Sequence, residues 1–243
     1  MRELERPNVE EHITHGPEGL KFAHAITLLA IGTFLGQLYQ LILRSLYSTT
    51  SANPTLPNEY HLYSELGAML WYLLIVALVT IDIRKKDLDV RTLLNIDFSC
   101  VLVFWKPILK YSGGCAIAVL ALALLTKETG SGLTSQTTSV LSLLFLVTVI
   151  VAPICEETVF RGYLYSSMFG TFKRERERLV VNAMLFSGAH VFFGAFLLGA
   201  EIPYYIFVLG YLVARLYEDS RSILPGILLH SFNNGLVFLI DAG

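Results

Sequence analysis

The spacing of the charges constrains this chain more than any other feature. Residues 22–43, 66–81, 111–126, 129–155, 179–200, 202–214 and 222–240 contain no Asp, Glu, Lys or Arg. A helix needs ~20 mainly apolar residues to cross the hydrocarbon core of a bilayer. The longer runs meet that length outright. The shorter ones meet it where a flanking charge snorkels, as Lys106 and Lys110 would beneath the third run. A membrane barrel would show short segments of alternating polarity. These runs are instead continuous and rich in Leu, Ala and Gly, a composition that suits packed helices. The expected fold class is therefore all-α: a polytopic transmembrane helical bundle of about seven spans.

Composition supports the same reading. Charged residues make up 16% of the chain, against ~25% in a typical soluble domain. That deficit argues against an ordinary cytosolic enzyme, a disordered chain or a nucleic-acid binder. The net charge of −2 points to no charged partner. Cys100, Cys115 and Cys155 are scattered through apolar runs, with neither zinc spacing nor a disulfide framework, and read as small buried hydrophobes.

Charge also predicts orientation, because cytosolic loops carry an excess of Lys and Arg. With a cytosolic N-terminus and an outer C-terminus, 15 of the 18 basic residues fall on the cytosolic side. Arg44 and Lys127 fall outside, and Arg161 lies within or at the edge of the fourth span. The expected organisation is a cytosolic segment over residues 1–21, spans one to three with their loops over 22–138, and a C-terminal core of spans four to seven over 139–243. The first 21 residues are polar and acidic and do not read as a secretory signal, so the first span is expected to stay as an anchor. Residues 48–57 read as an outer loop, 87–97 as an interfacial helix, and 173–178 (KRERER) as a solvated cytosolic turn.

Ionisable side chains inside spans are expensive, ~2.5–3.5 kcal/mol each on insertion scales, and are functional candidates by default. Glu156 and Glu157 follow an uncharged run of 27 residues. On a helix they point ~100° apart and cannot do the same job. Glu157 and Arg161 stand at i and i+4, in the order that favours an ion pair. Glu156 is left without that partner. A carboxylate in an apolar setting can act as general base or acid; a helix end with both groups solvated is the structural alternative. His190 lies near the middle of span five, among small residues that allow close helix approach. His230 and Asn234 share one face of span seven, and a donor pair on one face can hold a developing oxyanion. Asn233 points elsewhere and reads as an interhelical hydrogen-bonding residue. Gln37, Gln40 and His24 read as contacts between helices. Helix rise places Glu156, His190 and His230 at similar depth, so one site can hold all three.

These residues form three motifs in order: EETVFR from Glu156 to Arg161, FSGAH from Phe186 to His190, and HSFNN from His230 to Asn234. The set resembles the CAAX prenyl protease and bacteriocin-processing (CPBP, or Abi) family of intramembrane proteases, over about residues 139–240. The resemblance implies that Glu156 and His190 activate a water molecule, that His230 and Asn234 stabilise the tetrahedral oxyanion, and that Glu157 and Arg161 fix the helix and the cavity. It implies a membrane-associated peptide or protein substrate, of CAAX or leader-peptide type, and a multi-pass protein, with the short loops more like prokaryotic plasma-membrane members. Glu156, His190 and His230 are also the candidate ligands if zinc is bound. Metal-free glutamate/histidine catalysis is the preferred reading, because the HExxH spacing is absent and Asn is a poor zinc ligand. Two other readings keep the membrane bundle: a silent scaffold or immunity factor, and a small proton-coupled transporter, for which no inverted repeat is found.

Overall fold

The computed structural model describes residues 20–48, 58–126, 137–193 and 205–242. Eight helices run through them: α1 (Phe22–Ser48), α2 (Asn58–Lys85), the short α3 (Val90–Leu94), α4 (Phe98–Thr126), α5 (Thr138–Met168), α6 (Glu175–Phe193), α7 (Tyr205–Ser220) and α8 (Leu224–Ala242). No strand occurs among the described residues. The all-α bundle expected from the uncharged runs is the fold observed. Helices over Phe22–Tyr47, Glu59–Lys85 and Thr138–Met168 are long and apolar enough to cross a membrane, and α8 adds a shorter apolar stretch, Leu224–Ile240. The protein is an integral membrane protein on these helices.

α5 occupies the centre and packs against α1, α2, α3, α6, α7 and α8. One hydrophobic core gathers around it, from Ala25, Ile75 and Val79 to Tyr163, Leu164, Phe186 and Ala214. A smaller one joins α4 to α7 and α8 through Cys115, Leu209, Val213, Leu216 and Leu229. The outer faces of α1, α2 and α4 leave large apolar side chains uncovered, among them Phe34, Leu70, Leu102 and Leu124. An apolar exterior of this kind suits a hydrocarbon solvent rather than water.

The helix bounds depart from the charge pattern in three places. The uncharged run of span four ends at Cys155, but α5 continues past Arg161 to Met168, and residues 157–169 are all buried. The pattern fails here because Glu157, Arg161 and His230 satisfy one another inside the protein. The third expected span begins at Tyr111, whereas α4 begins at Phe98 and carries Lys106 and Lys110 as exposed residues along its length. The sixth was expected to stop at Ala214, but α7 continues to Ser220. Its charges are paired, Arg215 with Glu175 and Asp219, and Glu218 with Arg178 and Arg221.

Loop expectations fare unevenly. Only Val90–Leu94 is helical in the expected interfacial segment, because Asp87 and Asn95 adopt positive φ (54° and 38°) on either side of it. The turn expected over 173–178 is only partly a turn, because α6 already begins at Glu175; the segment is solvated except at Arg178, which is buried, bonds to the carbonyls of Phe172 and Lys173, and lies 4.2 Å over the Phe169 ring. Residues 1–19, residues 49–57 of the loop expected over 48–57, and Lys127 lie outside the described residues. Cys115 and Cys155 are buried and Cys100 is half-buried, all as free thiols.

Candidate active site

The backbone of α5 is irregular where the polar residues lie. α-helical turns over Ala152–Glu157 are flanked by π-helical stretches at Leu146–Val151 and Thr158–Tyr165. Pro153 contributes to this: it has no N–H to give, and the register widens on its N-terminal side. Such wide turns redirect side chains and free backbone carbonyls, and they recur at functional sites.

Glu157 faces the interior. It is 0% exposed, as is Arg161. The two form an ion pair at 2.9 Å, and Arg161 also donates to the carbonyl of Gly210 on α7 at 2.9 Å. The guanidinium carbon lies 4.5 Å from the centre of the Phe186 ring. Glu157 has room for this because Gly226 on α8 has no side chain: a Cβ there would stand 3.2 Å from Glu157 Oε2 and 2.8 Å from Val213. The pair expected from i, i+4 spacing thus exists, but deep in the bundle.

His230 completes that group. Its Nδ1 lies 2.9 Å from Glu157 Oε1. A carboxylate accepts, so Nδ1 carries the proton and Nε2 faces the other way. There it meets Glu156: His230 Nε2 stands 3.8 Å from Glu156 Oε2. His190 approaches the same oxygen from α6, with Nε2 at 3.6 Å. His190 Nδ1 lies 2.9 Å from the carbonyl of Phe186. That carbonyl can only accept, so in the neutral ring the Nε2 lone pair points into the site. Phe186 separates the functions, its ring 4.5 Å from that of His190 and 5.5 Å from that of His230.

Glu156, His190 and His230, expected to share a site, do converge. Glu156 Oε2 is buried and has no hydrogen-bond partner among the described residues, although it faces two imidazole nitrogens. His190 is the open edge, with 31% of its side chain exposed against 3% for His230. Asn234 sits one turn beyond His230 on α8. Its amide nitrogen donates to the carbonyl of Thr148, in the first π stretch, at 3.0 Å. One N–H of that amide therefore ties α8 to α5, and the second is left for another acceptor.

Other expectations divide. Gln40 and Ser64 bond reciprocally between α1 and α2, as expected of residues joining helices. His24 joins Asp82 on α2, which also accepts from Tyr163 at 2.6 Å and from Lys86. Gln37 is buried with no hydrogen-bond partner among the described residues. Asn233 was expected to bond between helices, yet among the described residues its amide nitrogen reaches only Asn234, its neighbour on α8. Gly188, beside His190, does not bring helices together: a Cβ there would meet nothing described within 4 Å. Close approach occurs instead at Gly210, whose Cβ would stand 3.0 Å from Phe186.

One contact had no counterpart in the sequence. Tyr72 of α2 donates its phenol to Glu156 Oε1 at 2.6 Å. Tyr72 lies in an uncharged run that holds no motif, and a tyrosine among Leu and Trp gives no signal until α2 is placed beside α5.

Among the described residues, no group of three or more His, Cys, Asp and Glu side chains is disposed to hold an ion. Tyr72 holds one oxygen of Glu156 and Glu157 holds one nitrogen of His230, which leaves Glu156 Oε2 and His230 Nε2 facing the site. The site is an acid–imidazole cluster in which Glu156 Oε2 faces the Nε2 atoms of His190 and His230.

No curated protein and no solved structure matches the chain. α1, α2 and α4 lie outside the one family match found. Residues 138–236, which carry every motif residue from Glu156 to Asn234, match the family described as Rce1-like, type II CAAX prenyl endopeptidase, the family that those motifs resemble.

Proposed function

We propose that the protein is an intramembrane endopeptidase. It hydrolyses a peptide bond of a membrane-associated substrate, of CAAX or leader-peptide type, with water activated by Glu156 and His190. The observation that carries this reading is the unpartnered Glu156 Oε2 facing His190 Nε2 at 3.6 Å. A water placed between two acceptors is oriented by both, and either can take its proton. The family match supports peptide hydrolysis as the chemistry.

In the first step the water oxygen attacks the carbonyl carbon and its proton passes to Glu156. The carbonyl oxygen becomes an oxyanion, held by His230 Nε2–H and the second N–H of Asn234. With Nδ1–H directed at Glu157, Nε2 of His230 donates only in the imidazolium form. Glu157 supplies the counter-charge, and Arg161 holds Glu157 in place. In the second step the C–N bond breaks and the proton on Glu156 moves to the departing amine. Glu156 is thus base and then acid, and no atom or proton is left over. The bundle is read as seven spans with a cytosolic N-terminus, which sets this site in the inner half of the bilayer.

Glu156→Gln is the decisive variant, because it keeps shape and polarity but cannot take a proton. Purified protein in detergent is given a membrane-anchored peptide. Wild-type cleavage with background rates in Glu156→Gln is the expected result. Full activity in the variant overturns the general-base role.

A further inference from the structure

We infer that Tyr72 is a positioning residue for Glu156, so that α2, outside the family-matched segment, supplies part of the active site. The inference rests on the proteolytic reading for its consequence, and on geometry for the contact. The phenol donates to Glu156 Oε1 at 2.6 Å, a separation typical of a strong hydrogen bond to a carboxylate. Each carboxylate oxygen then has one task. Oε1 is anchored to α2, and Oε2 is left bare, facing His190 and His230. Without the phenol, the carboxylate can rotate about its terminal torsion, which is broad for Glu.

The phenol is itself held in place. Trp71, the preceding residue, donates its indole N–H to the carbonyl of Gly32 on α1 at 2.6 Å. Gly36 leaves the slot for it, since a Cβ there would stand 2.7–2.9 Å from the indole. The rings of Trp71 and Tyr72 lie 4.8 Å apart. α1 therefore fixes α2 in rotation, and α2 fixes Glu156. The charged and titratable groups around Glu156 are Tyr72 from α2, His190 from α6, His230 from α8, and Cys155, Glu157 and Arg161 from its own helix. Glu65, two turns back on α2, interacts electrostatically with Tyr72. Tyr72 is the group that donates a hydrogen bond to Glu156 among the described residues.

Two measurements on the full-length protein in detergent test this. The first is steady-state cleavage of a membrane-anchored peptide by Tyr72→Phe. Orienting partners one step from the reacting atoms are worth about 10- to 100-fold. The expected result is a fall of that size in kcat, with KM within about twofold of wild type and the thermal transition retained. A kcat within about twofold of wild type, or a rise in KM alone, overturns the inference. The second needs no activity: 3-fluorotyrosine is placed at position 72 and its 19F resonance recorded. The resonance is expected to move in Glu156→Ala, which removes the acceptor, and to hold in His190→Ala, which changes the same pocket but not the acceptor. Indifference to Glu156→Ala overturns the inference even if Tyr72→Phe fails to fold. A protein that cleaves nothing but shows the 19F coupling refutes the proteolytic reading and leaves the contact standing.

Discussion

Arg161→Ala removes three interactions at once from a place that water does not reach. The guanidinium is 0% exposed, pairs with Glu157 at 2.9 Å, donates to the Gly210 carbonyl at 2.9 Å and lies 4.5 Å from the Phe186 ring centre. These terms do not add. The dominant one is Glu157 left as a buried charge without its cation, and breaking a buried pair in this way costs ~3–5 kcal/mol. His230 Nδ1 still donates to Glu157, which places the expectation near the lower end. In a chain of this size, ~1 kcal/mol shifts the transition by roughly 2–4 °C, so Arg161→Ala is expected to lower Tm by about 6–12 °C. The double variant Arg161→Met, Glu157→Gln removes both charges and keeps most of the volume. It is expected to recover part of that loss, because an apolar replacement of a buried pair is often close to neutral. Thermal unfolding in detergent, followed by a thiol-reactive dye on the buried cysteines, gives both values. An unchanged Tm in Arg161→Ala refutes the reasoning. Loss of cleavage without loss of stability would move Arg161 into the reacting shell.

Three further outcomes are expected. Asn234→Ala removes one oxyanion donor and should lower kcat by ~10²–10³ while leaving measurable turnover; activity within twofold of wild type would confine the residue to its bond with Thr148. On the metal-free reading, incubation with a zinc chelator should leave cleavage unchanged; loss of activity restored by zinc would make Glu156, His190 and His230 ligands. A cysteine introduced in residues 49–57 should react with an impermeant reagent from outside, and one introduced in residues 173–177 should not; the reverse labelling would invert the orientation.

The helical bundle was legible in the sequence because its cause is local. Long runs without charge must lie in apolar surroundings, and a backbone in such surroundings must satisfy its own hydrogen bonds, which a helix does without any partner. The pair Glu157–Arg161 was legible for the same reason, since i, i+4 spacing places both on one turn. Helix ends were less so. Charge marks where a helix leaves the apolar layer only if the charge is solvated, and Glu157, Arg161, Arg178 and Glu218 are not. Their partners come from other helices: His230 and Gly210 for the first two, and one another for the second two.

The site divides along the same line. The residue types and their order picked out Glu156, His190 and His230 as candidates, because an ionisable group inside a span needs a reason to be there, and the three do converge. The sequence could not tell which atom of each faces the others. That was decided by contacts between helices distant in the chain. The Phe186 carbonyl fixes the His190 ring, Glu157 fixes the His230 ring, and Thr148 takes one N–H of Asn234. Tyr72 shows the limit most plainly. Its phenol is 84 residues from Glu156 along the chain and 2.6 Å from it in space. Nothing local distinguishes it from the other tyrosines of α2. A hydrogen bond between two helices depends on how both are rotated, and rotation is set by packing, here by Trp71 seated against Gly32 and Gly36.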